Sequence, residues 1–362
     1  ADPVPTLDGT LRRLVSMPRE AGTPAAARAR EVVTEHLRSL GYTVTTQRFT
    51  FHPSSLKAFP LFGAGLGGVA IALLPLLVLP TVPPWGALLT LTSWLGGLVL
   101  LTLGVGLGRI PLGGEPREDA NLLAVRGDAL ITRWIVAHLD TKAQRQSMAG
   151  RLVAVWIVGL AVAALIALSV VRLSGALPMW LAVGGAATAL VAGALSGRGV
   201  LQGVSPGARD NGSGVAAALA CAEASRDPST GLLLTGAEEF GMVGARAFAE
   251  AEGARLKSCI AVNLDTIDQE GPLYLGTHDR RGATAALAER ERMAAAGCAP
   301  RVRRLPLGIL VDSLPLARAG ASAVTIGRLT WRTLRIIHTP GDTPDGLSFA
   351  AAKRVGAALA AN

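Results

Sequence analysis

The sequence predicts an α/β fold: a mixed, largely parallel sheet flanked by helices and interrupted by two α-helical transmembrane hairpins. Two observations support this prediction. Short apolar strands alternate with helical patterns along the polar parts of the chain, which is typical of βα units. Long uncharged stretches interrupt those parts, and each is close to the roughly 20 residues that a helix needs to cross a bilayer.

The polar segments carry helix and strand signals in alternation. Thr23 is a capping hydroxyl and Pro24 suits the first helical position, so a helix is expected over 25–40, with Gly41 ending it. A strand of alternating polarity follows over 42–51. Further strands are predicted at 121–125, 134–138, 231–235, 258–265 and 323–326, and further helices at 213–223, 242–251, 283–296 and 348–360.

The uncharged stretches contain glycine and proline, which destabilise helices of soluble proteins but are common in membrane helices. Short turns separate the first stretch from the second and the third from the fourth, which predicts two hairpins. The alternative is a set of buried core helices, although soluble domains seldom contain even one such run. The stretches cover 58–80, 84–108, 152–171 and 174–196.

These hairpins divide the chain into five segments. We expect the polar segments 1–57, 109–151 and 197–362 to form one domain, to which the last contributes the most residues. The two transmembrane hairpins would occupy 58–108 and 152–196. Because each hairpin enters and leaves on one side of the membrane, all the polar segments can assemble together.

The composition agrees with a membrane protein whose partner is the lipid bilayer. Of the 362 residues, 50% are hydrophobic and only 17% are charged. The net charge of +9 is concentrated at the ends of the apolar stretches, and no basic patch interleaved with aromatic residues occurs, so nucleic acid is not an expected partner. The turns inside the hairpins carry only Arg172. The positive-inside rule therefore places the polar domain on the cytoplasmic side.

Cysteine usage and the chain start add little. Three widely separated cysteines with no CxxC pair do not predict a disulfide framework. The first residues show no pattern typical of a secretory signal peptide. No oligomeric state follows from the sequence.

Five short motifs contain the residues that are suited to chemistry. His138, Glu238, Glu239 and Asp265 each fall at the carboxyl end of a predicted strand, where parallel sheets gather their ligands. Two histidines with several carboxylates suit a pair of zinc ions. The motifs are HLD at 138–140, DNGSG at 210–214, GAEEFG at 236–241, NLD at 263–265 and HTPGDT at 338–343.

The order of these motifs resembles the di-zinc exopeptidase family that includes bacterial leucyl aminopeptidases, glutamate carboxypeptidase II and the glutaminyl cyclases. The resemblance runs from Leu7 to Ala360 outside the apolar stretches and includes the segment from Asp312 to Pro315. It implies a zinc aminopeptidase-like fold with two bound Zn2+ ions, in which the polar segments form the catalytic domain and 197–362 is the main metal-site segment. The implied enzyme is a metallo-exopeptidase that hydrolyses N-terminal peptide bonds of a peptide substrate.

The resemblance also assigns metal ligands. Asp210 would bridge both zinc ions. His138 and Asp265 would complete the coordination of one ion, and Glu239 and His338 would complete that of the other. This donor set is consistent with the preference of zinc for imidazole nitrogen and carboxylate oxygen.

Two further residues receive catalytic roles from the same resemblance. Glu238 would be the general base and take a proton from a metal-bridging water. Asp140 would hydrogen-bond the far nitrogen of His138 and fix its tautomer. Asp342 is expected to order the His338 loop. The remaining expectations are solvated carboxylates at Asp268 and Asp279, and surface or local hydrogen-bonding roles for His36, His52 and His278.

Three functions are open at this point. The first is a membrane-anchored zinc aminopeptidase acting close to the bilayer surface. The second is a glutaminyl cyclase-like acyltransferase, or an amidase acting on a membrane-associated amide. Thr141-Lys142 after HLD is similar to the Ser-Lys of the cyclases, whereas DNGSG and GAEEFG look more like the aminopeptidases. The third is a catalytically inactive membrane scaffold, against which the complete set of ligands weighs.

Overall fold

The computed structural model describes residues 5–306 and 309–361, so residues 1–4, where no signal-peptide pattern was expected, lie outside the described part. The strands are β1 (Thr43–Phe51), β2 (Arg117–Val125), β3 (Arg133–His138), β4 (Thr230–Thr235), β5 (Ile260–Ile267), β6 (Leu273–Thr277), β7 (Arg301–Arg304) and β8 (Ser322–Arg328). The helices are α1 (Leu7–Val15), α2 (Pro24–Ser39), α3 (Ala58–Val78), α4 (Gly86–Gly106), α5 (Met148–Val171), α6 (Met179–Gly197), α7 (Gly214–Ala224), α8 (Val243–Glu252), α9 (Arg280–Ala295), α10 (Ser313–Arg318), α11 (Trp331–Ile336) and α12 (Ala350–Ala360).

The chain divides into two compact units. The sheet unit falls within Ala1–Phe51, Pro116–Ala143 and Gly203–Asn362. The helical unit comprises His52–Glu115 and Gln144–Gln202. Each unit is therefore built from segments that are distant in sequence.

All eight described strands of the sheet unit form one mixed sheet in the order β1-β2-β4-β3-β5-β8-β6-β7. The central run β4-β3-β5-β8 is parallel, and β6 pairs in parallel with β7. The pairs β1–β2, β2–β4 and β6–β8 are antiparallel. This arrangement confirms the predicted α/β fold with a mixed, largely parallel sheet. It also brings the carboxyl ends of β3, β4 and β5 to one edge.

Helix α7 lies in the centre of the core and is buried from Gly214 to Ala222. Its small side chains let α12 approach closely, because a Cβ added at Gly356 would overlap the carbonyl oxygen of Ala217. Close packing of this kind fixes α7, whose first residue, Gly214, is the last residue of the DNGSG motif. The core thereby holds one predicted site segment in place.

The four helices of the helical unit cover the four apolar stretches, and each is long and apolar enough to cross a membrane. Helices α3 and α6 touch through small residues. A Cβ added at Gly193 would lie 2.7 Å from the carbonyl oxygen of Gly63, so the backbones are in contact. Large apolar side chains such as Trp94, Leu100 and Trp156 are exposed on this unit.

Arg172, the charged residue in the second hairpin turn, is buried and makes specific contacts. Its guanidinium donates hydrogen bonds to the carbonyl oxygens of Leu76, Leu79 and Val82. Carbonyls in the last turn of a helix have no partner within that helix. Arg172 therefore caps the end of α3 and joins the turns of the two hairpins.

Candidate metal centre

The structure brings the five predicted metal ligands together. His138 ends β3, Asp265 lies near the end of β5, and Glu239 follows β4 by four residues. Asp210 lies four residues before the start of α7, and His338 lies two residues after the end of α11. All five are buried except Asp265, which is partly exposed.

The ligands form two groups that share Asp210. His138, Asp210 and Asp265 each offer one ligand atom, and these atoms lie within 4.8 Å of one another. Asp210, Glu239 and His338 form a second group by the same criterion. One carboxylate oxygen of Asp210 lies 3.2 Å from His138 Nε2, and the other lies 3.0 Å from His338 Nε2. The two oxygens of Asp210 thus face different groups.

The electrostatics of the centre follow from this crowding. Burial alone would raise the pKa of Asp210, but hydrogen bonds from His138 and His338 hold that pKa well below its ordinary value. Burial alone would lower the pKa of His138, whereas Glu238 and the neighbouring aspartates raise it well above its ordinary value. The ligand groups must be deprotonated to hold a metal, so a cation bound here would displace protons from them.

The Glu238–Glu239 turn is held by Asp140. Its two carboxylate oxygens accept hydrogen bonds from the backbone N–H groups of Glu238 and Glu239, at 3.0 and 3.1 Å. The contact with His138 Nδ1 is made by the backbone carbonyl of Asp140 at 3.1 Å, while its carboxylate is 3.6 Å away. The main chain of Asp140 therefore contacts the imidazole, where the sequence predicted the carboxylate, and the carboxylate orients the glutamate turn.

Glu238 itself is buried beside several acids. Burial, with the charges of Glu239, Asp312 and Asp265, raises the pKa of Glu238 well above its ordinary value, and His138 opposes that rise. A carboxyl group with a raised pKa is suited to exchange a proton during a reaction.

Other residues of DNGSG connect the turn that contains Asp210 to the turn that contains Asp265 through hydrogen bonds. The side chain of Asn211 donates to the carbonyl oxygen of Leu264 and accepts from the N–H groups of Gly214 and Thr266. A Cβ added at Gly214 would overlap Asn211 Oδ1, so glycine is required there. The motif thus fixes the spacing of two candidate ligands.

Unusual backbone conformations accumulate at the centre. Ala237, Thr266 and His338 have φ values of 52°, 54° and 64°, a region that non-glycine residues seldom adopt. The first precedes Glu238, the second follows Asp265, and the third is a candidate ligand. Strain of this kind persists where the surrounding structure fixes it, and it concentrates at functional sites.

Asp342 connects the His338 loop to Asp210, which agrees with its predicted role. Its carboxylate accepts from the backbone N–H groups of Arg209 and Asp210 at 2.9 and 3.0 Å. The prediction of a solvated carboxylate at Asp268 is wrong: Asp268 is buried, pairs with Arg209 and accepts from the hydroxyl of Thr333. Asp279 is exposed, as expected, and caps α9.

The three other histidines lie outside both groups. His36 is fully buried against the hydroxyl of Thr10, so a surface position for it is wrong and a local hydrogen bond is correct. His278 contacts the hydroxyl of Ser313, and His52 is partly buried.

Arg19, which no sequence motif contains, supports the segments around the candidate metal centre through hydrogen bonds. Its fully buried guanidinium donates to the carbonyl oxygens of Leu139, Pro206 and Gly207, among others. These carbonyls belong to the segments that carry His138 and Asp210. Burial lowers the pKa of Arg19 to about 10, and nearby carboxylates oppose that decrease.

Asp312 is a further buried acid at the centre. Its Oδ2 accepts from the hydroxyl of Thr235 at the end of β4, and its Oδ1 has no hydrogen-bond partner among the described residues. Burial raises the pKa of Asp312 to about 7. Asp312 lies in a segment that resembles the di-zinc exopeptidases in sequence, whereas no motif of the sequence contains Arg19.

The donor set fits zinc ions. Two imidazoles and three carboxylates are the ligand types that zinc takes in catalytic sites. Glu239 Oε1 is buried without a hydrogen-bond partner among the described residues, 3.4 Å from His338 Nε2. Buried polar atoms are normally paired, and a cation between these ligands would pair this one.

Comparisons with known proteins agree with this geometry. Residues 194–362 match the model of Peptidase family M28. Four of the five motifs lie in that range. No curated protein sequence matches the chain significantly.

Solved structures resemble the chain over nearly its full length. An aminopeptidase from Aneurinibacillus sp. strain AM-1 is 16% identical with a TM-score of 0.57, covering 98% of this chain and 93% of that one. A Fimbriiglobus ruber glutaminyl cyclase is 18% identical with a TM-score of 0.58, covering 99% and 94%. A zinc aminopeptidase from Bacillus subtilis is 13% identical with a TM-score of 0.56, covering 99% and 94%. At these identities the similarity establishes the fold alone.

Proposed function

We propose that the chain is a membrane-anchored metallo-exopeptidase, a two-zinc aminopeptidase that removes N-terminal residues from peptides. The observation that carries the proposal is the convergence of the five candidate ligands into two groups that share Asp210. The match of residues 194–362 to Peptidase family M28 supports it.

One zinc ion would be held by His138, Asp210 and Asp265. The other would be held by Asp210, Glu239 and His338. Zinc bound there would polarise a peptide carbonyl and lower the pKa of water. Asp140 keeps Glu238 and Glu239 on one rigid turn, so that one glutamate faces His338 while its neighbour stays available for proton transfer.

Glu238 is the proposed general base. As water adds to the carbonyl carbon, the Glu238 carboxylate takes the proton of that water. It then delivers the proton to the departing amine nitrogen as the carbon–nitrogen bond breaks, which releases the N-terminal residue. The raised pKa of the buried Glu238 suits both steps, because the group must accept a proton and then give it up.

Anchoring by four transmembrane helices is the second part of the proposal. Each helix has the length and composition to span a bilayer, and large apolar side chains on the helical unit are exposed. Trp85 and Trp180, at the starts of α4 and α6, are 59% and 72% exposed, and tryptophan is common at membrane interfaces. The charge distribution favours a cytoplasmic catalytic domain.

Sidedness is tested with a single cysteine. A Thr81→Cys variant made in a Cys298→Ser background, since Cys221 and Cys259 are buried, should react with an impermeant thiol reagent added outside intact cells. Protection of the introduced cysteine from outside, with labelling after permeabilisation, would reverse the proposed topology.

A glutaminyl cyclase-like activity is the second candidate. The Fimbriiglobus ruber cyclase is as similar in fold as the aminopeptidases, and Lys142 lies directly against a candidate ligand, Glu239, at 2.6 Å. The second candidate also includes an amidase that hydrolyses a membrane-associated amide. An inactive scaffold is disfavoured because all five ligands and Glu238 are together.

The test is hydrolysis of a panel of aminoacyl-anilides by the detergent-purified chain. Chelation should abolish hydrolysis, and Glu238→Gln should lower kcat by about 10²–10⁴-fold while zinc content stays unchanged. Glu250→Gln, on the exposed face of α8, is the matched control and should keep full activity. If the chain binds zinc, hydrolyses none of the anilides and cyclises glutaminyl peptides, the second candidate replaces the aminopeptidase. Absence of bound zinc would refute both.

A further inference from the structure

The helical unit carries a positive charge that its own residues do not balance. Its sequence contains a single acidic residue, Glu115, which is exposed. The whole chain has a formal charge of +9, so the rest of the chain is net basic as well. The basic residues of the unit are Lys57, Arg109, Arg145, Arg151, Arg172 and Arg198. This balance favours an anionic partner from outside the chain.

All of these basic residues except Arg172 lie at one end of the helical unit, which we call the basic end. They flank the starts of α3 and α5 and the ends of α4 and α6. Arg172 lies at the opposite end, in the turn between α5 and α6, and is bonded to main-chain carbonyls. The unbalanced charge is therefore concentrated at the basic end.

Contacts at the basic end gather around Gly199, just after α6. The guanidinium of Arg151 lies over the ring of Phe59, 5.8 Å from its centroid. A Cβ added at Gly199 would lie 3.6 Å from that ring and 3.5 Å from Gln146 Nε2. The backbone N–H of Arg145 donates to the carbonyl oxygen of the residue after Gly199. The starts of α3 and α5 and the end of α6 therefore meet at this point.

Two buried amide atoms beside Gly199 have no hydrogen-bond partner among the residues that the structure describes. They are a donor, Gln146 Nε2, and an acceptor, Gln144 Oε1, in residues that are only 8% and 4% exposed. The amide nitrogen of Gln144 donates to the carbonyl oxygen of Gly199 at 2.9 Å, which fixes the orientation of that amide. Buried polar atoms are normally paired. A ligand with both an anionic oxygen and a hydroxyl would pair the two atoms.

The start of α5 is suited to a phosphate group. The N-terminus of a helix carries a partial positive charge and binds phosphate readily. Helix α5 is 24 residues long and has no acidic residue in its first turn. Arg151 adds a full positive charge there, in a side chain that can bind phosphate with two parallel hydrogen bonds.

The surface of α5 beyond Arg151 is suited to acyl chains. Val155 lies one turn further along on the same face and is 45% exposed, and the neighbouring Trp156 is 79% exposed. A free phosphate ion would leave this apolar surface uncovered. A phospholipid would cover the surface with its acyl chains and place its phosphate at the start of the helix.

Resting on the proposed membrane anchoring, we infer that the basic end binds one anionic phospholipid, whose phosphate lies between Arg151 and the amide of Gln146. Its acyl chains follow α5, and a hydroxyl of its headgroup, as in phosphatidylglycerol, donates to Gln144 Oε1. Basic pockets between transmembrane helices on the cytoplasmic side bind anionic headgroups in this way.

The test is a titration of the full chain in neutral detergent with dioctanoyl phosphatidylglycerol, in which native mass spectrometry counts the bound lipid. One molecule should bind per chain. Phosphatidylcholine with the same acyl chains should bind at least about tenfold more weakly, because its headgroup has no net charge. Glycerol phosphate has the phosphate without acyl chains and should not displace the lipid at equal concentration.

Substitutions locate the site. Arg151→Gln should weaken phosphatidylglycerol binding by about 10–100-fold, because a hydrogen bond between two charged groups is lost. Arg151→Lys restores the charge and should recover part of this loss. Gln146→Met removes the buried donor and should also weaken binding. Thermal unfolding without lipid shows that each variant is folded.

Arg109→Gln is the matched control. It removes an equal charge from the basic end, but at the end of α4 and away from the start of α5. Its effect should stay within about fivefold, the attraction that one basic residue near a membrane surface contributes.

The outcomes separate the inference from the function on which it rests. Equal binding of phosphatidylcholine, or equal losses in Arg151→Gln and Arg109→Gln, would overturn the inference. Equal affinity for glycerol phosphate would assign the site to a free phosphate and overturn it as well. These results would leave the membrane anchoring standing. Recovery of the chain in the soluble fraction of cells lysed without detergent would overturn the anchoring itself.

Discussion

The sheet unit and the helical unit differ in how their buried charged side chains are paired. The sheet unit buries many charged side chains and pairs them, as in Arg133 with Glu289 and Arg30 with Asp119. In the described part of the helical unit the buried charged side chain is Arg172, and its hydrogen bonds go to main-chain carbonyls.

The difference shows what holds each unit together. Ion pairs and long-range hydrogen bonds specify the sheet unit, and those of Arg19 and Asp342 hold the segments around its candidate metal centre. Contacts between small residues specify the helical unit, which is the rule for helices in a lipid environment. Substitutions in the sheet unit should therefore lower stability by leaving buried charges unpaired, and those in the helical unit by separating packed helices.

The largest loss of stability is expected at the buried pair of the sheet unit. Arg133 makes two hydrogen bonds to Glu289, at 3.0 and 2.7 Å, and a third to the carbonyl oxygen of Leu359. Glu289→Gln keeps the shape but leaves a buried cation unpaired, so the free energy of unfolding should fall by about 3–5 kcal/mol. Denaturant unfolding measures this. The double variant Arg133→Met/Glu289→Leu should recover part of the loss, and a further loss there would contradict the account.

The helical unit should be sensitive to the size of a small residue. In Gly193→Ala the new Cβ would press on the carbonyl oxygen of Gly63, so α3 and α6 must separate at a cost of about 1–3 kcal/mol. Thermal unfolding in detergent would detect the change. Gly97→Ala is the matched control, since a Cβ there meets no described atom within 4 Å. Equal losses in both variants would exclude close packing at Gly193, and zinc content should change in neither.

A smaller effect is expected from the positioning carboxylate of the centre. In Asp140→Asn an amide NH2 would face one of the two backbone N–H groups from which the carboxylate now accepts hydrogen bonds. The Glu238–Glu239 turn loses one anchor, and zinc affinity should fall by about 10–100-fold, or about 1.4–2.7 kcal/mol. Chelator competition measures the affinity. An unchanged affinity would show that the turn holds its shape without Asp140.

The smallest effect belongs to an exposed ion pair. Arg13 and Glu35 lie 3.0 Å apart, but their side chains are 56% and 52% exposed. Water screens such a pair, so Arg13→Ala should change the free energy of unfolding by about 0–1 kcal/mol. Denaturant unfolding beside Glu289→Gln gives the comparison, and a loss as large as that variant's would contradict the distinction between buried and exposed pairs.

The central fold could be predicted because it leaves a local pattern. Apolar runs mark β3, β4 and β5, and the uncharged stretches mark α3 to α6. The edge strand β7 was not predicted, because its sequence Arg301-Val302-Arg303-Arg304 has no apolar alternation and its pairing with β6 decides its conformation. Helix α1 also escaped prediction, as a short segment that Thr6 caps.

The candidate ligands were predictable for the same reason, since each lies in a short motif. Arg19 was not, because it contacts the carbonyl oxygen of Leu139 from 120 residues away. Asp268 was judged solvated because its neighbours in sequence gave no sign of Arg209 or Thr333. Contacts between distant segments decide burial, and a single sequence carries little trace of them.

If the proposed centre is correct, the sheet unit holds two zinc ions on ligand groups that share Asp210. Equilibrium dialysis of the full chain against saturating zinc, followed by metal analysis, counts these ions. We expect two zinc ions per chain in the wild type, one in Asp265→Asn and close to none in Asp210→Asn. Two zinc ions retained in Asp210→Asn, or none in the wild type, would refute the shared role of Asp210.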